Sequence, residues 1–334
     1  MKDMIVLSIE TSCDETSVAI VKNGREILSN KILSQIDIHN EFGGVVPEVA
    51  SRKHLEVINL VVDEALKEAE IKLNDVDLIA ATYGPGLVGA LLVGLQYAKG
   101  LSYALNKEFI GVNHIEGHIS SCFLEYKELS PPFMSLVISG GHTILLNVVD
   151  YGVYEKIAET RDDAIGEVFD KIARKLNLSY PGGPNIERLA KDGDENSIKF
   201  PKSKFEDDTL DFSYSGLKSS VLNYINQNNL NKIDINKENV CASFQKTAVD
   251  MLIQNIEKAF NIYGGSKLCI VGGVSSNEYL KNRFKSYFRD VEIYTPSKIL
   301  CTDNGAMIAS AAYYSYIKNG SSDYTLNVSP NIKF

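Results

Sequence analysis

The sequence predicts an α/β protein of two similar lobes. Three observations carry that prediction. The 334 residues exceed one ordinary core and suit two domains of roughly 100–200 residues each. A composition of 44% hydrophobic and 23% charged residues can fill such cores. One order of elements also occurs twice along the chain.

Residues 5–10 form a short apolar run, 11–15 a polar turn and 17–21 a second apolar run; Asn23-Gly24 then offers a hairpin turn before 26–29. From Phe133 the pattern recurs, with runs at 134–139 and 143–148 and turns at Gly140-Gly141 and Tyr151-Gly152. Each reads as a three-strand meander. Helical spacing follows the first meander at 46–69, 87–104 and 114–124, with strands at 78–82 and 108–112 between them. After the second comes an inserted region at 160–235, then helices at 238–262, 276–287 and 303–316, alternating with strands at 267–271 and 292–294. The expected division is an N-terminal lobe, 1–130, and a C-terminal lobe, 131–334, carrying the insertion. Mixed sheets covered by helices follow. This is the layout of the actin, sugar kinase and heat-shock ATPase superfamily, so two actin-like lobes with a ligand cleft between them are expected. Such a fold does not by itself give a reaction.

Composition excludes several classes. The five apolar residues before Glu10 are too few for a signal sequence, and no apolar stretch reaches the ~18 residues of a membrane span, so a cytoplasmic location without membrane contact is expected. Five scattered cysteines without a CxxC pair indicate neither a disulfide framework nor a thiolate zinc site. A net charge of −9 opposes unaided binding of nucleic acid. Local basic clusters exist at Lys199, Lys202 and Lys204 and at Lys281, Arg283 and Lys285, but either reads more simply as solvated surface charge.

Chemistry is expected at the corners where strands end, because helix amino termini and turn amides gather there. Gly140-Gly141 and Gly272-Gly273 lack a Cβ and admit an anion or nucleotide close to the backbone, with Ser139, Thr143 and Asn277 as polar handles. His114 and His118, four apart at a helix start, project about 40° apart around the axis and can close on one ion. Asp303 opens the last helix of the second half as His114 opens that of the first, so a His-His-Asp set for iron, zinc or another divalent ion is expected. The segment HIEGH is not the protease motif HExxH, because Glu116 lies two positions after the first histidine, about 200° around the helix. A Ser139–His142 nucleophile pair lacks an evident acid partner, and its Gly-Gly reads better as a phosphate turn.

The segments SIETSCDETSVAI, EFGGVVPEVASRKH, GPGLVGALLVG, HIEGH, ISGGHT, DDAIGEVFDKIAR, YPGGP, DFSYSGLKSS, VGGVSSN and CTDNGAMIA, in this order, resemble the universal tRNA threonylcarbamoyladenosine transferase family in its bacterial and organellar form. The resemblance runs from the amino terminus to about residue 312. It implies transfer of a threonylcarbamoyl group from threonylcarbamoyl-AMP to the exocyclic amine of the adenosine beside the anticodon, with release of AMP. It also implies metal ligation by His114, His118 and Asp303 and one divalent ion per subunit, iron or else zinc. Adenylate contacts are implied at Val137, Ile138, Ser139, Gly140, Gly141, Asp170, Gly183 and Asn277. The implied partners are tRNA, an inactive paralogue joined through helices at 46–69 and 87–104, and a small ATPase subunit. Removing a proton from the attacking amine calls for a carboxylate, and Asp14 or Glu15 in the first turn is the candidate. Asp162 and Asp163 are expected to cap the helix that carries Asp170. The rival reading, from fold alone, is a small-molecule kinase or ATPase.

Overall fold

A computed structural model describes residues 3–203 and 209–334. The expected patch residue Lys204 lies outside them. Among the described residues, ten strands and eleven α-helices are arranged as two compact units.

The first unit comprises 1–131, 148–154 and 296–334. Its sheet contains β1 (Ile5–Glu10), β2 (Glu15–Lys22), β3 (Glu26–Ser34), β4 (Leu78–Gly84) and β5 (Glu108–Asn113), in the order β3-β2-β1-β4-β5. Strand β1 is antiparallel to β2 and parallel to β4, which is parallel to β5. The helices are α1 (Ile36–Asn40), α2 (Pro47–Glu68), α3 (Val88–Leu105), α4 (His114–Glu125), α10 (Lys298–Cys301) and α11 (Gly305–Asn319). Burial is continuous through the interiors of β1 and β2, Ser8, Thr16 and Ser17 included, because both faces of the sheet are covered. Leu7, Ile9, Val18 and Ile20 pack with Ile58, Val62 and Leu95 of α2 and α3, while Val6, Ala19 and Val21 pack with 306–309 of α11. Cutting the fully buried Leu7 to Ala is expected to cost about 2–5 kcal/mol.

The second unit comprises 132–147 and 155–295. Its strands are β6 (Phe133–Ile138), β7 (Thr143–Asp150), β8 (Val153–Glu159), β9 (Lys267–Val271) and β10 (Glu292–Tyr294), in the order β10-β9-β6-β7-β8. Read from the other edge, that order repeats the first sheet strand for strand, as the tandem pattern predicts. The helices are α5 (Ile165–Lys175), α6 (Gly182–Ala190), α7 (Ser215–Leu230), α8 (Lys237–Tyr263) and α9 (Glu278–Tyr287). The expected insertion supplies α5, α6 and α7.

The division at 130/131 needs one correction. Residues 296–334 follow the second half in sequence but belong to the first unit. The cause is α11, whose small apolar face covers the first sheet. Its start is fixed at Gly305: the amide donates to Ser17 Oγ, the carbonyl accepts from Ser8 Oγ, and a Cβ there would meet the Ala19 backbone nitrogen at 2.6 Å. The helix also starts later than the expected 303, with Asn304 as its cap accepting from the Met307 amide.

Candidate functional site

Parallel strands β1, β4 and β5 end side by side, and their carboxyl ends bring together Glu10, Thr82 and His114. Helix α4 starts directly after β5, with the Asn113 side chain accepting from the Ile115 amide, so His114 and His118 occupy its first turns. Their rings meet edge to face, with centroids 4.6 Å apart. Asp303 precedes the cap of α11, and Gly117 permits that helix to approach: a Cβ there would meet Ile308 Cδ1 at 2.6 Å. One ligand atom from each of His114, His118 and Asp303 lies within 4.8 Å of the others. Asp303 Oδ1 stands 3.4 Å from His114 Nε2 and 3.3 Å from His118 Nε2. The expected triad is thus assembled, and wholly within the first unit. The sequence division, which assigned Asp303 to the second lobe, does not hold.

Glu10 completes the cluster. Its carboxylate accepts from the Ser12 amide and the Thr82 hydroxyl and lies 3.1 Å from His114 Nδ1, which is also 3.2 Å from Ser12 Oγ. A carboxylate behind a ligating imidazole fixes its tautomer and leaves Nε2 for the ion. Burial opposes the charge on His114, but Asp303 and Glu10 outweigh it and hold the imidazole well above its usual range. Burial likewise opposes ionisation of Asp303, yet the two histidines keep its carboxyl well below the carboxylate range. His118 is pushed down, first by burial and then by the His114 charge. It is fully buried, and neither ring nitrogen has a hydrogen-bond partner among the described residues. Two imidazoles and a carboxylate, one of them a buried base without a proton partner, fit a divalent cation. Glu116 is not among the converging groups; burial pushes it up to about 7.

The turn after β1 carries Asp14, buried, and Glu15. Burial, with Asp14 and Asp303 beside it, pushes Glu15 up to about 10.

In the second unit, parallel strands β6 and β9 end in the two glycine turns. The side chains of Val137 and Ile138 are buried, which leaves only their backbone for a ligand. The turn after them closes through the Ser139 amide donating to the His142 carbonyl and the His142 amide donating to Ser139 Oγ. Ser139 is therefore a turn-forming hydroxyl. A Cβ added at Gly140, Gly141, Gly183 or Gly273 would enter open space. Their neighbours differ: at Gly272 it would meet the Ile138 carbonyl oxygen at 2.5 Å, and at Gly166 the Ser139 carbonyl oxygen at 2.5 Å. Asp170 on α5 accepts from the Gly182 amide at the start of α6 and is pushed up by burial. Asn277 caps α9 through the Leu280 amide and donates to the buried Gln245.

Other expectations change. Helix α5 takes no side-chain cap from Asp162 or Asp163; its Ile165 amide bonds the Thr143 hydroxyl. Asp162 instead accepts from the Tyr214 and Ser215 amides at the start of α7, and Asp163 pairs with Lys171 and Lys218. In the basic clusters, Lys202 and Arg283 both pair with Asp250, and Lys281 pairs with Glu278.

Sequence reasoning missed Glu10, Gly117 and Gln245. A glutamate ending a mainly apolar buried strand was the available signal for the first, and a glycine between two ligands for the second. Gln245 had none, because its role depends on α8 lying beside α9.

Residues 26–310 match the family described as tRNA N6-adenosine threonylcarbamoyltransferase. Among curated proteins, the enzyme of that name from Clostridium kluyveri is 59% identical over 99% of this chain and 98% of its own. That from Clostridium perfringens is 58% identical over 100% and 99%. Among solved structures, the fold resembles component A of the (R)-2-hydroxyglutaryl-CoA dehydratase of Acidaminococcus fermentans, with a TM-score of 0.54 at 14% identity, covering 95% of this chain and 99% of that one. It also resembles HypF of T. kodakarensis, with a TM-score of 0.64 at 15% identity, covering 95% and 48%. These identities carry the actin-like α/β fold alone.

Proposed function

The chain belongs to the tRNA N6-adenosine threonylcarbamoyltransferase family, and on that premise we propose that it transfers the threonylcarbamoyl group of threonylcarbamoyl-AMP to the adenosine next to the anticodon of tRNAs reading codons that begin with A. The observation that carries the reading, beyond membership, is the convergence of His114, His118 and Asp303 with Glu10 behind them.

The adenine N6 lone pair attacks the carbamoyl carbon, the bond from that carbon to the phosphate oxygen breaks, AMP leaves, and N6 loses a proton. N6 is a weak nucleophile because its lone pair is delocalised into the ring, so the acyl group needs placement and polarisation. His114, His118 and Asp303 would hold one divalent ion, iron or else zinc, which supplies Lewis acidity toward the acyl carbonyl when bound. The open faces of Gly140, Gly141, Gly183 and Gly273 suit the adenylate, with turn amides toward its phosphate. Val137 and Ile138 contribute backbone, and Asp170 and Asn277 a hydroxyl acceptor and an amide donor. Of the two carboxyl groups in the first turn, Glu15 keeps its proton at neutral pH, burial being the first cause. Asp14 and Glu15 are the two carboxyl candidates to receive the N6 proton.

The acidic chain, with its basic clusters largely paired to carboxylates, needs help to hold tRNA. Leu55, Leu60 and Val88 are exposed on α2 and α3, where an inactive paralogue would dock, joined by a small ATPase subunit. No helix among the described residues is long and apolar enough to cross a membrane, in keeping with work in the cytoplasm. A kinase reading has only the fold in its favour. Incubation of the metal-loaded chain, with its partner subunits, with threonylcarbamoyl-AMP and unmodified tRNA tests the proposal. Threonylcarbamoyladenosine in digested tRNA is expected; its absence, with ATP-dependent phosphorylation of a metabolite, would overturn it.

A further inference from the structure

The turn that carries Asp14 and Glu15 is held through its backbone. The Ser12 carbonyl accepts from the Leu87 amide at 2.8 Å and the Asp14 carbonyl from the Gln35 amide at 3.0 Å. The Cys13 carbonyl between them has a side-chain partner, His54 Nε2 of α2, at 2.9 Å. A carbonyl only accepts, so Nε2 carries the proton and Nδ1 must accept. Two donors meet Nδ1: the Thr16 hydroxyl at 2.8 Å and the Gln35 side-chain amide at 3.3 Å.

The same logic extends outward. With its amide nitrogen turned to His54 and the Ala50 carbonyl, Gln35 presents Oε1 to His39 Nε2 at 3.3 Å, and His39 Nδ1 accepts from the Val46 amide at 3.3 Å. From the Val46 amide to the Cys13 carbonyl every donor points the same way, so both tautomers are fixed from both ends. His39, Gln35, His54 and Thr16 are at most 1% exposed, where a misdirected polar group cannot turn to water. Burial also holds His54 below its usual range and keeps the ring neutral.

We propose that His54 is a positioning residue for the transfer reaction: through the buried relay His39–Gln35–His54 it fixes the Cys13 carbonyl, and thereby the direction in which the Asp14 and Glu15 carboxyl groups leave the turn. The inference rests on the reading of Asp14 and Glu15 as the proton-handling pair. It assigns a task to the histidine of EFGGVVPEVASRKH that neither metal nor adenylate requires.

The test uses the metal-loaded full chain, with its partner subunits, threonylcarbamoyl-AMP and tRNA. His54→Leu removes the donor to Cys13, and His54→Gln returns an N–H at the position of Nε2. Misplacement of a catalytic group by about 1 Å costs on the order of 100-fold. His54→Leu is therefore expected to lower kcat by that order, with KM for tRNA and metal content per chain unchanged, and His54→Gln to recover most of the loss. Full kcat in folded His54→Leu overturns the proposal, as does an equal loss in both variants that tracks their melting temperatures. Should His54→Leu not fold, Gln35→Met keeps the histidine and breaks the relay: a lower kcat at unchanged KM is expected, and unchanged kcat overturns the proposal. Asp14→Asn and Glu15→Gln in the same assay separate the two levels. If both keep full kcat, the proton-handling reading fails; if they lose activity while His54→Leu does not, only the positioning role fails.

Discussion

At the carboxyl ends of β1, β4 and β5 the candidate site is made of side chains, whereas at those of β6 and β9 it is made of backbone. In the first, Glu10, His114, His118 and Asp303 satisfy or repel one another before any ligand arrives. In the second, Gly140 and Gly141 both face open space, and two other pairs divide the labour: Gly272 is packed against the Ile138 backbone and Gly182 against Ala173 and Asp170, while Gly273 and Gly183 face open space. A charged cluster concentrates binding in a few replaceable groups. A glycine corner spreads it over backbone amides that remain under any substitution but proline, so added bulk is the main way to disturb it.

The comparison is broken most sharply at His118. Neither ring nitrogen of His118 makes a hydrogen bond among the described residues, though Nε2 lies 3.3 Å from Asp303 Oδ1, so His118→Ala costs the metal-free fold that contact and a small cavity. Bound metal and transfer activity should fall by more than the roughly 10–100-fold typical of a supporting residue, while the metal-free melting temperature falls only by the cost of the cavity left behind. Elemental analysis and calorimetry on one sample check this, and a collapsed melt with retained metal would make His118 structural. Glu10→Gln is the graded case: it keeps shape but removes the charge behind His114, and metal affinity measured by titration should drop by about 10–100-fold.

The glycine side is sharpened by neighbouring substitutions. Gly272 has φ +89° and the Ile138 carbonyl against it, so Gly272→Ala is expected to cost at least about 1–3 kcal/mol in denaturant melts. Gly273→Ala and Gly183→Ala should leave the melt unchanged and raise KM for threonylcarbamoyl-AMP. Equal destabilisation at Gly272 and Gly273 would remove the division of labour.

The same contrast explains what could be read from the sequence. Strands 5–10, 267–271 and 292–294 were legible to the residue because short, mainly apolar runs there are bounded by polar residues or glycine. The triad was legible because His114 and His118 share a helix start. What was not legible was the unit to which Asp303 belongs, since chain order separates 296–334 from a sheet that only three-dimensional packing of Ala306 to Ala312 reveals. Asp162 misled for a related reason: a carboxylate just before a helix reads as its cap, but α7, some fifty residues on, offers it two amides. Chain neighbours lost to spatial neighbours in both cases.

The smallest expected effect is that of pH on the metal-free chain, through the charged pair of the first site. The folded pKa of His114 is raised, for although burial opposes its charge, Asp303 and Glu10 overcome that. Its contribution to stability is therefore fully present below about 6.5, the unfolded imidazole value, and is lost as pH rises through the folded value. Asp303 is depressed, burial again opposing and His114 prevailing. Its contribution is present above about 3.9 and is lost as pH falls toward the folded value. Both contributions are at full strength between about pH 4 and 6.5, so what this pair adds to the melting temperature of metal-free protein should be highest there and decline on either side. Metal loading should reverse the alkaline decline, because a ligating His114 must be neutral and binding strengthens as its proton leaves. Asp303→Asn should flatten both limbs, and Gly183→Ala neither; a glycine variant that flattened them would mean that the titrating groups belong to the other site.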